Sequence, residues 1–286
     1  MAVFERTLRP FEGALTAPRW RFLVLSRYAR QQVFQSRLLT GFFALCFAPF
    51  VFATLVVYLR YNLPALEAFN IDAGGLPPID QTFFFYFLRL QGFLAFLLTA
   101  FIGPGLIAPD LANNALPLYL SRPFSRFDYV LGKLTVLFVL LSAVTWLPVG
   151  LAWFLNGTLR PESWSAEYLG TGFAIFVGSW VWILILALLA VAFSAWLKWK
   201  ILAGTALFAT FFVAGALGEA TNQIFDTRWG DLINLGNVIT RIWDGLFFST
   251  STGSIPLWSA WVSLALICAF CLWILNRKLR AYEVIS

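Results

Sequence analysis

The sequence predicts an all-α polytopic membrane protein with six membrane-spanning helices, and three observations predict it. Apolar residues make up 60% of the 286 positions and charged ones 12%, against roughly a quarter charged in a soluble domain. Aromatic residues reach 18%, with 13 tryptophans, a surplus suited to lipid contact and interfacial belts. Six apolar runs recur at about 38–59, 83–107, 130–154, 171–195, 201–217 and 257–275. Each is close to the ~17–25 residues that cross a hydrocarbon core. The reading divides the chain into an N-terminal segment, 1–37, and one six-span transmembrane domain, 38–286.

The N-terminal segment is rich in arginine and has no short apolar core with a cleavage site, so it does not read as a signal peptide. From Pro18 to Arg37 the pattern suits a helix. Arg19, Ser26, Arg30 and Arg37 make one polar stripe, and Trp20, Phe22 and Leu25 are expected to turn into lipid, as in a helix lying in the interface plane. The competing reading is a solvated basic tail.

The spans follow. Pro49, Pro104 and Pro148 lie inside three of them, where neighbouring helices are expected to satisfy the freed carbonyls. The fifth run is the shortest, and Lys198 and Lys200 before it can snorkel to extend its reach. Arg89 is the one charge clearly inside a span, a functional candidate by position; its nearness to the outer end also allows snorkelling. Gly103-Pro104-Gly105 near the end of the second span reads either as a hinge or as a packing notch.

Orientation follows from the basic residues. With the N-terminus inside, only Arg60, Arg89, Arg160, Arg228 and Arg241 of the 20 lie off the inner segments. The positive-inside rule then sets both termini in the cytoplasm. Of the outer segments, Arg60–Thr82 carries Gly74-Gly75 and Pro77-Pro78 and reads as an irregular loop. Asn156-Gly157-Thr158 matches a glycosylation sequon, a tripeptide common by chance. Gly218–Pro256 includes Ile233–Phe248, apolar enough for a short interfacial or re-entrant helix.

The connector between spans two and three carries the most local grammar. Pro109 is read as opening a short helix, with Leu111, Ala115 and Leu118 on one face. Ser121-Arg122-Pro123 stops it, and Ser125 to Asp128 forms a capping box for the next helix. The matching residues Asp110, Leu116, Leu120, Ser121, Arg122, Pro123, Ser125, Arg126, Tyr129, Gly132 and Lys133 resemble the ABC-2 type permease family, the membrane half of ATP-driven exporters. The likeness extends to the basic N-terminal helix, the six spans and the Arg-Lys-Leu-Arg-Ala-Tyr-Glu tail. Where that family often has Glu followed by Gly-Thr-Leu, this chain has Asp110 followed by Asn114-Ala115-Leu116, and Pro117 interrupts the short helix.

The resemblance implies a permease subunit in a cytoplasmic (inner) membrane, with a second permease copy or a sister permease. It implies two copies of a separate ATPase docked at Asp110, Leu116, Leu120, Ser121, Arg122, Pro123, Ser125, Arg126 and Lys133. ATP and Mg would be bound by that partner and no cofactor by this chain. Helices two and five would line the path. The residues themselves allow a plainer reading, in which Arg122, Arg126 and Lys133 only obey the positive-inside rule. They also allow a second function, a membrane scaffold that docks an ATPase for mechanical or regulatory work.

Other chemistry is poorly supported. Gly132-Lys133-Leu134 lacks the earlier glycine and the hydroxyl residue of a phosphate-binding loop, so the chain is not expected to hydrolyse ATP. There is no histidine, which removes the usual general base and metal ligand. Cys268 and Cys271 share a helix face but read as packing residues rather than a metal pair. No catalytic or metal residue is assigned, and no nucleic-acid partner is expected. An intramembrane enzyme would need paired carboxylates, a Ser/Lys dyad or metal ligands at bilayer depth, and the spans offer none.

Overall fold

The computed structural model describes residues 20–62, 75–116, 125–160, 164–248 and 255–280, together with the single positions 17, 64, 66 and 119. Its helices are α1 (Arg21–Phe34), α2 (Arg37–Leu45), α3 (Ala48–Tyr61), α4 (Gln81–Ile102), α5 (Pro104–Ala112), α6 (Arg126–Val144), α7 (Trp146–Leu159), α8 (Ala166–Trp196), α9 (Lys200–Phe225), α10 (Leu235–Phe247) and α11 (Leu257–Arg280). Among the described residues there is no strand. Six rods are long and apolar enough to cross a membrane: Arg37–Tyr61, Gln81–Ala112, Arg126–Leu159, Ala166–Trp196, Lys200–Phe225 and Leu257–Lys278. The expected count of spans and their approximate positions therefore hold. Helix α8 is the central post, with 72% of its most apolar stretch buried against 17% for α9.

The first three rods are each broken near a proline, and the breaks are closed by side chains from neighbours. Pro49 stands in the first turn of α3 and Pro104 opens α5. Pro148, in the first turn of α7, cannot donate to the carbonyl of Val144 four residues earlier. Gln91 on α4 is fully buried, and its amide is assigned the orientation in which the nitrogen faces two carbonyls and donates to Val144 O and Cys46 O, each at 3.2 Å. One side chain thus fastens the breaks of two other rods. At the third break, Ser194 of α8 accepts from Ile107 N and Ala108 N, both at 2.9 Å, and donates to Pro104 O at 3.0 Å. Those amides are on the fourth and fifth residues of α5, one turn past the break.

At the end of the bundle opposite the 113–125 connector, the chain turns back into the protein. Asp226 ends α9 in the left-handed region, with φ 49°. The returning 3-10 turn Trp229–Leu232 then runs beside α9. A Cβ on Gly230 would stand 2.1 Å from Gly218 O, so only glycine fits that crossing. The irregular backbone is held by a polar knot. Asn222 Oδ1 accepts from Gly230 N at 2.8 Å, and Asp231 Oδ1 accepts from the amides of Asn222 and Asn237 at 3.1 and 3.0 Å. Buried backbone outside a regular helix requires such pairing.

Helix α10 follows and confirms the short helix expected over Ile233–Phe248, with 13 residues. Its apolar face, including Val238, Ile242 and Trp243, is buried. Trp243 donates from Nε1 to Gly178 O at 3.0 Å, and Trp182 donates to Gly92 O at 2.8 Å. Gly178 lies roughly 18 Å along α8, and Gly92 roughly 16 Å along α4, at about 1.5 Å per residue. Trp243 reaches Gly178 and, with its ring, Gly92, so α10 packs in between α4 and α8 rather than lying across the ends of the rods.

Candidate functional site

The candidate site is the joint where α1, α5 and α6 meet at the connector end. Helix α5 begins at Pro104 rather than at Pro109, which sits inside it. It stops at Ala112, earlier than the Leu111–Ala115–Leu118 periodicity suggests. Asn114 adopts φ 50°, Ala115 N donates to Asp110 O at 2.8 Å, and Asn114 N donates to Leu111 O at 3.3 Å. This pair of bonds around a left-handed residue is a Schellman stop, in which asparagine is the accepted substitute for glycine. The local hydrogen bonds of a C-terminal cap therefore break the helix here, while Leu116 and Tyr119 are helical again, with Tyr119 N donating to Ala115 O at 3.3 Å. Leu116 lies just beyond and is 1% exposed.

Helix α6 opens as expected. Ser125 Oγ accepts from Asp128 N at 3.1 Å, and Asp128 Oδ2 accepts from Ser125 N at 3.1 Å, closing the capping box. The first two turns of α6 then direct Tyr129 and Lys133 to α5. Lys133 Nζ lies 2.8 Å from Asp110 Oδ2, and the Tyr129 hydroxyl donates to the same oxygen at 2.7 Å. The Lys133 ammonium also sits 5.4 Å from the centroid of the Tyr129 ring, within range of a cation–π contact. Lys133 and Asp110 side chains are only 7% and 18% exposed. A charge pair so enclosed is held by mutual attraction and added hydrogen bonds, and either member alone would be costly to bury.

Gly132, between these two residues, seats α1. A Cβ there would stand 3.0 Å from Phe22 O and 3.1 Å from Leu25 Cδ2. The closeness explains which side of α1 turns inward. Ser26 is buried and Leu25, Ala29 and Val33 pack against the core, while Trp20, Leu23, Val24 and Tyr28 are exposed. Ser26 is therefore not part of an outward polar stripe, and Leu25 faces the bundle rather than lipid. The glycine notch, not the arginine spacing, sets the rotation of the helix.

The sequence-predicted residues fall into separate groups. Of the expected docking residues, Asp110 and Lys133 pair with each other at the joint, and Leu116 is buried. Ser125 caps α6, and Arg126 is half-buried at the helix start. Leu120, Ser121, Arg122 and Pro123 lie outside the described residues, as does the tail from Ala281 onward. Gly103 is both a break and a notch: it ends α4, and a Cβ on it would stand 2.5 Å from Ala190 Cβ of α8. Pro104 is tied to α8 by Ser194, and Gly105 lies under the Lys200 side chain. Arg89 is exposed on α4, far from the joint, within electrostatic reach of Asp244.

Tyr129, which the connector pattern includes without a role, supplies the third member of the Asp110 cluster. Ser194 and Gln91, which the sequence did not flag, close the helix breaks. Asn156 has a structural role instead of an acceptor's role. It is 1% exposed, takes a hydrogen bond from the Tyr61 hydroxyl at 2.9 Å and gives one to Tyr168 Oη at 3.2 Å. With its amide enclosed between two tyrosines, it is not available for glycosylation. No protein-family model matches this chain, and a search of curated proteins returns no match.

Proposed function

We propose that this chain is the membrane-spanning permease subunit of an ATP-driven exporter of the ABC-2 type, coupled through residues 110–133 to a separate ATPase. The observation that carries the reading is the joint itself. The connector leaves α5 through a fixed stop and enters α6 through a capping box, and the Asp110–Lys133 pair ties the two helices across it. A push on 120–124 is then passed to both helices as to one rigid body, the kind of displacement such machines use. Asn114 adds support. It holds the left-handed position at a point where the family often carries glycine, so the departure keeps the backbone geometry.

In this reading the chain sits in the cytoplasmic membrane with both termini inside. Helix α1 lies along the inner surface with Leu23, Val24 and Tyr28 toward lipid. Arg122 and Arg126 reach acceptors on the ATPase through charge-assisted hydrogen bonds, while ATP and Mg stay on that partner. A second permease copy, or a sister permease, completes the assembly. A second reading has its own observation. Gln91 and Ser194, buried polar groups of the spans, are engaged by backbone groups rather than lining a path, which favours a scaffold that docks an ATPase without moving a solute.

The test is a mild-detergent pull-down from the native membrane with mass spectrometry of what co-purifies. The expected result is a stoichiometric soluble subunit carrying a phosphate-binding loop, lost from the Arg122→Glu/Arg126→Glu variant while the chain still inserts. If no such subunit appears and the variant behaves like wild type, the connector is only a basic loop. A transport assay of the reconstituted complex then separates permease from scaffold.

A further inference from the structure

Beside the joint, a groove of about 720 Å³ runs between α1–α2 and α9, with α4–α5 as its floor. Its walls are largely apolar, including Leu39, Phe101, Ile102 and Phe208, and no aspartate or glutamate among the described residues lines it. Among the described residues, the charged groups on it are two ammonium groups, of Lys133 and Lys200. Lys133 is neutralised by Asp110 at 2.8 Å. Lys200 is not: no hydrogen bond or ion pair holds its ammonium among the described residues, and Nζ lies 3.8 Å from where a Cβ on Gly105 would stand. The positive charge therefore hangs over a glycine that leaves room beneath it. Gln32 and Ser36 on the opposite wall add hydrogen-bonding groups.

The two ends of the groove ask for different chemistry. Lys200 is the first residue of its rod and so stands at headgroup depth. Phe208 and Phe101 lie further along their rods toward the middle of the bundle. The lips are open to the side, with Leu38 71% and Ile201 79% exposed. A small soluble anion would satisfy Lys200 but leave the apolar walls unfilled, and a neutral lipid would leave the charge unpaired. We infer that the groove is a binding site for an anionic phospholipid of the bilayer, its phosphate on Lys200 and an acyl chain along Phe101 and Phe208. Juxtamembrane basic residues attract such lipids, and lysine does so as a compact point charge. The inference does not rest on the exporter reading, since it uses neither the connector nor a partner.

The test is native mass spectrometry of the full chain in detergent, incubated with phosphatidylglycerol or phosphatidylcholine of the same acyl chains. Wild type is expected to retain phosphatidylglycerol in preference to phosphatidylcholine. Lys200→Gln should lower that preference roughly fivefold, the effect of one basic residue near an anionic surface, and Lys200→Arg should restore it. Thr205→Trp, which fills the groove and keeps the charge, should abolish retention. Equal retention of both lipids by wild type, or no change in Lys200→Gln, would overturn the proposal. So would competition by inorganic phosphate, which would mark a free-anion site.

Discussion

Ser194 and Ser179 lie on the same helix, both fully buried, and their hydroxyls do opposite things. Ser194 holds two amides and one carbonyl of α5, whereas Ser179 Oγ has no hydrogen-bond partner among the described residues. A buried donor left without its acceptor costs its full desolvation, about 1–3 kcal/mol. Ser194→Ala is therefore expected to lower stability by that amount, and Ser179→Ala to leave it nearly unchanged, both read by thermal unfolding in detergent. Equal effects of the two would mean that α5 does not depend on its staple. Neither role was legible in the sequence, where both serines are small polar residues in an apolar run. The prolines that create the need were legible; the partner that meets it comes from a residue 90 positions away, which no local pattern reports.

At the scale of elements, legibility depended on whether the deciding contacts are local. The capping box of α6 was readable because Ser125 and Asp128 bond each other three residues apart. The stop of α5 was also written locally, in Asn113-Asn114, yet the apolar spacing through Leu118 pointed to a longer helix. The face that α1 buries was not readable, because it is set by Gly132 on another element. That contact makes a prediction. A leucine at 132 would fill the space held by Phe22 O and Leu25, so Gly132→Leu should lift α1 off α6 while the rods stay packed. Limited trypsin digestion at Arg27 and Arg30 should quicken severalfold with no matching loss of thermal stability of the bundle. Unchanged cleavage would mean that α1 is held by something other than this notch.

On the scale of the whole molecule, the six rods were legible from hydropathy alone, because length and apolarity are properties of a single stretch. What hydropathy leaves open is which rods move together. The Asp110–Lys133 pair answers this at the connector end by joining α5 to α6, while Gly103 and Ser194 lock α5 to the α8 post. Asp110→Leu or Lys133→Leu alone strands an enclosed charge and should cost about 3–5 kcal/mol, whereas the double variant removes both charges and should recover most of that loss. The double variant also separates docking from transmission. It leaves Arg122 and Arg126 in place, so in the proposed complex the ATPase should still co-purify, but its hydrolysis should no longer drive transport. Measured together, retained binding with lost coupling would establish the pair as the link between connector and rods. Loss of binding in a stably folded double variant would instead make the joint part of the docking surface.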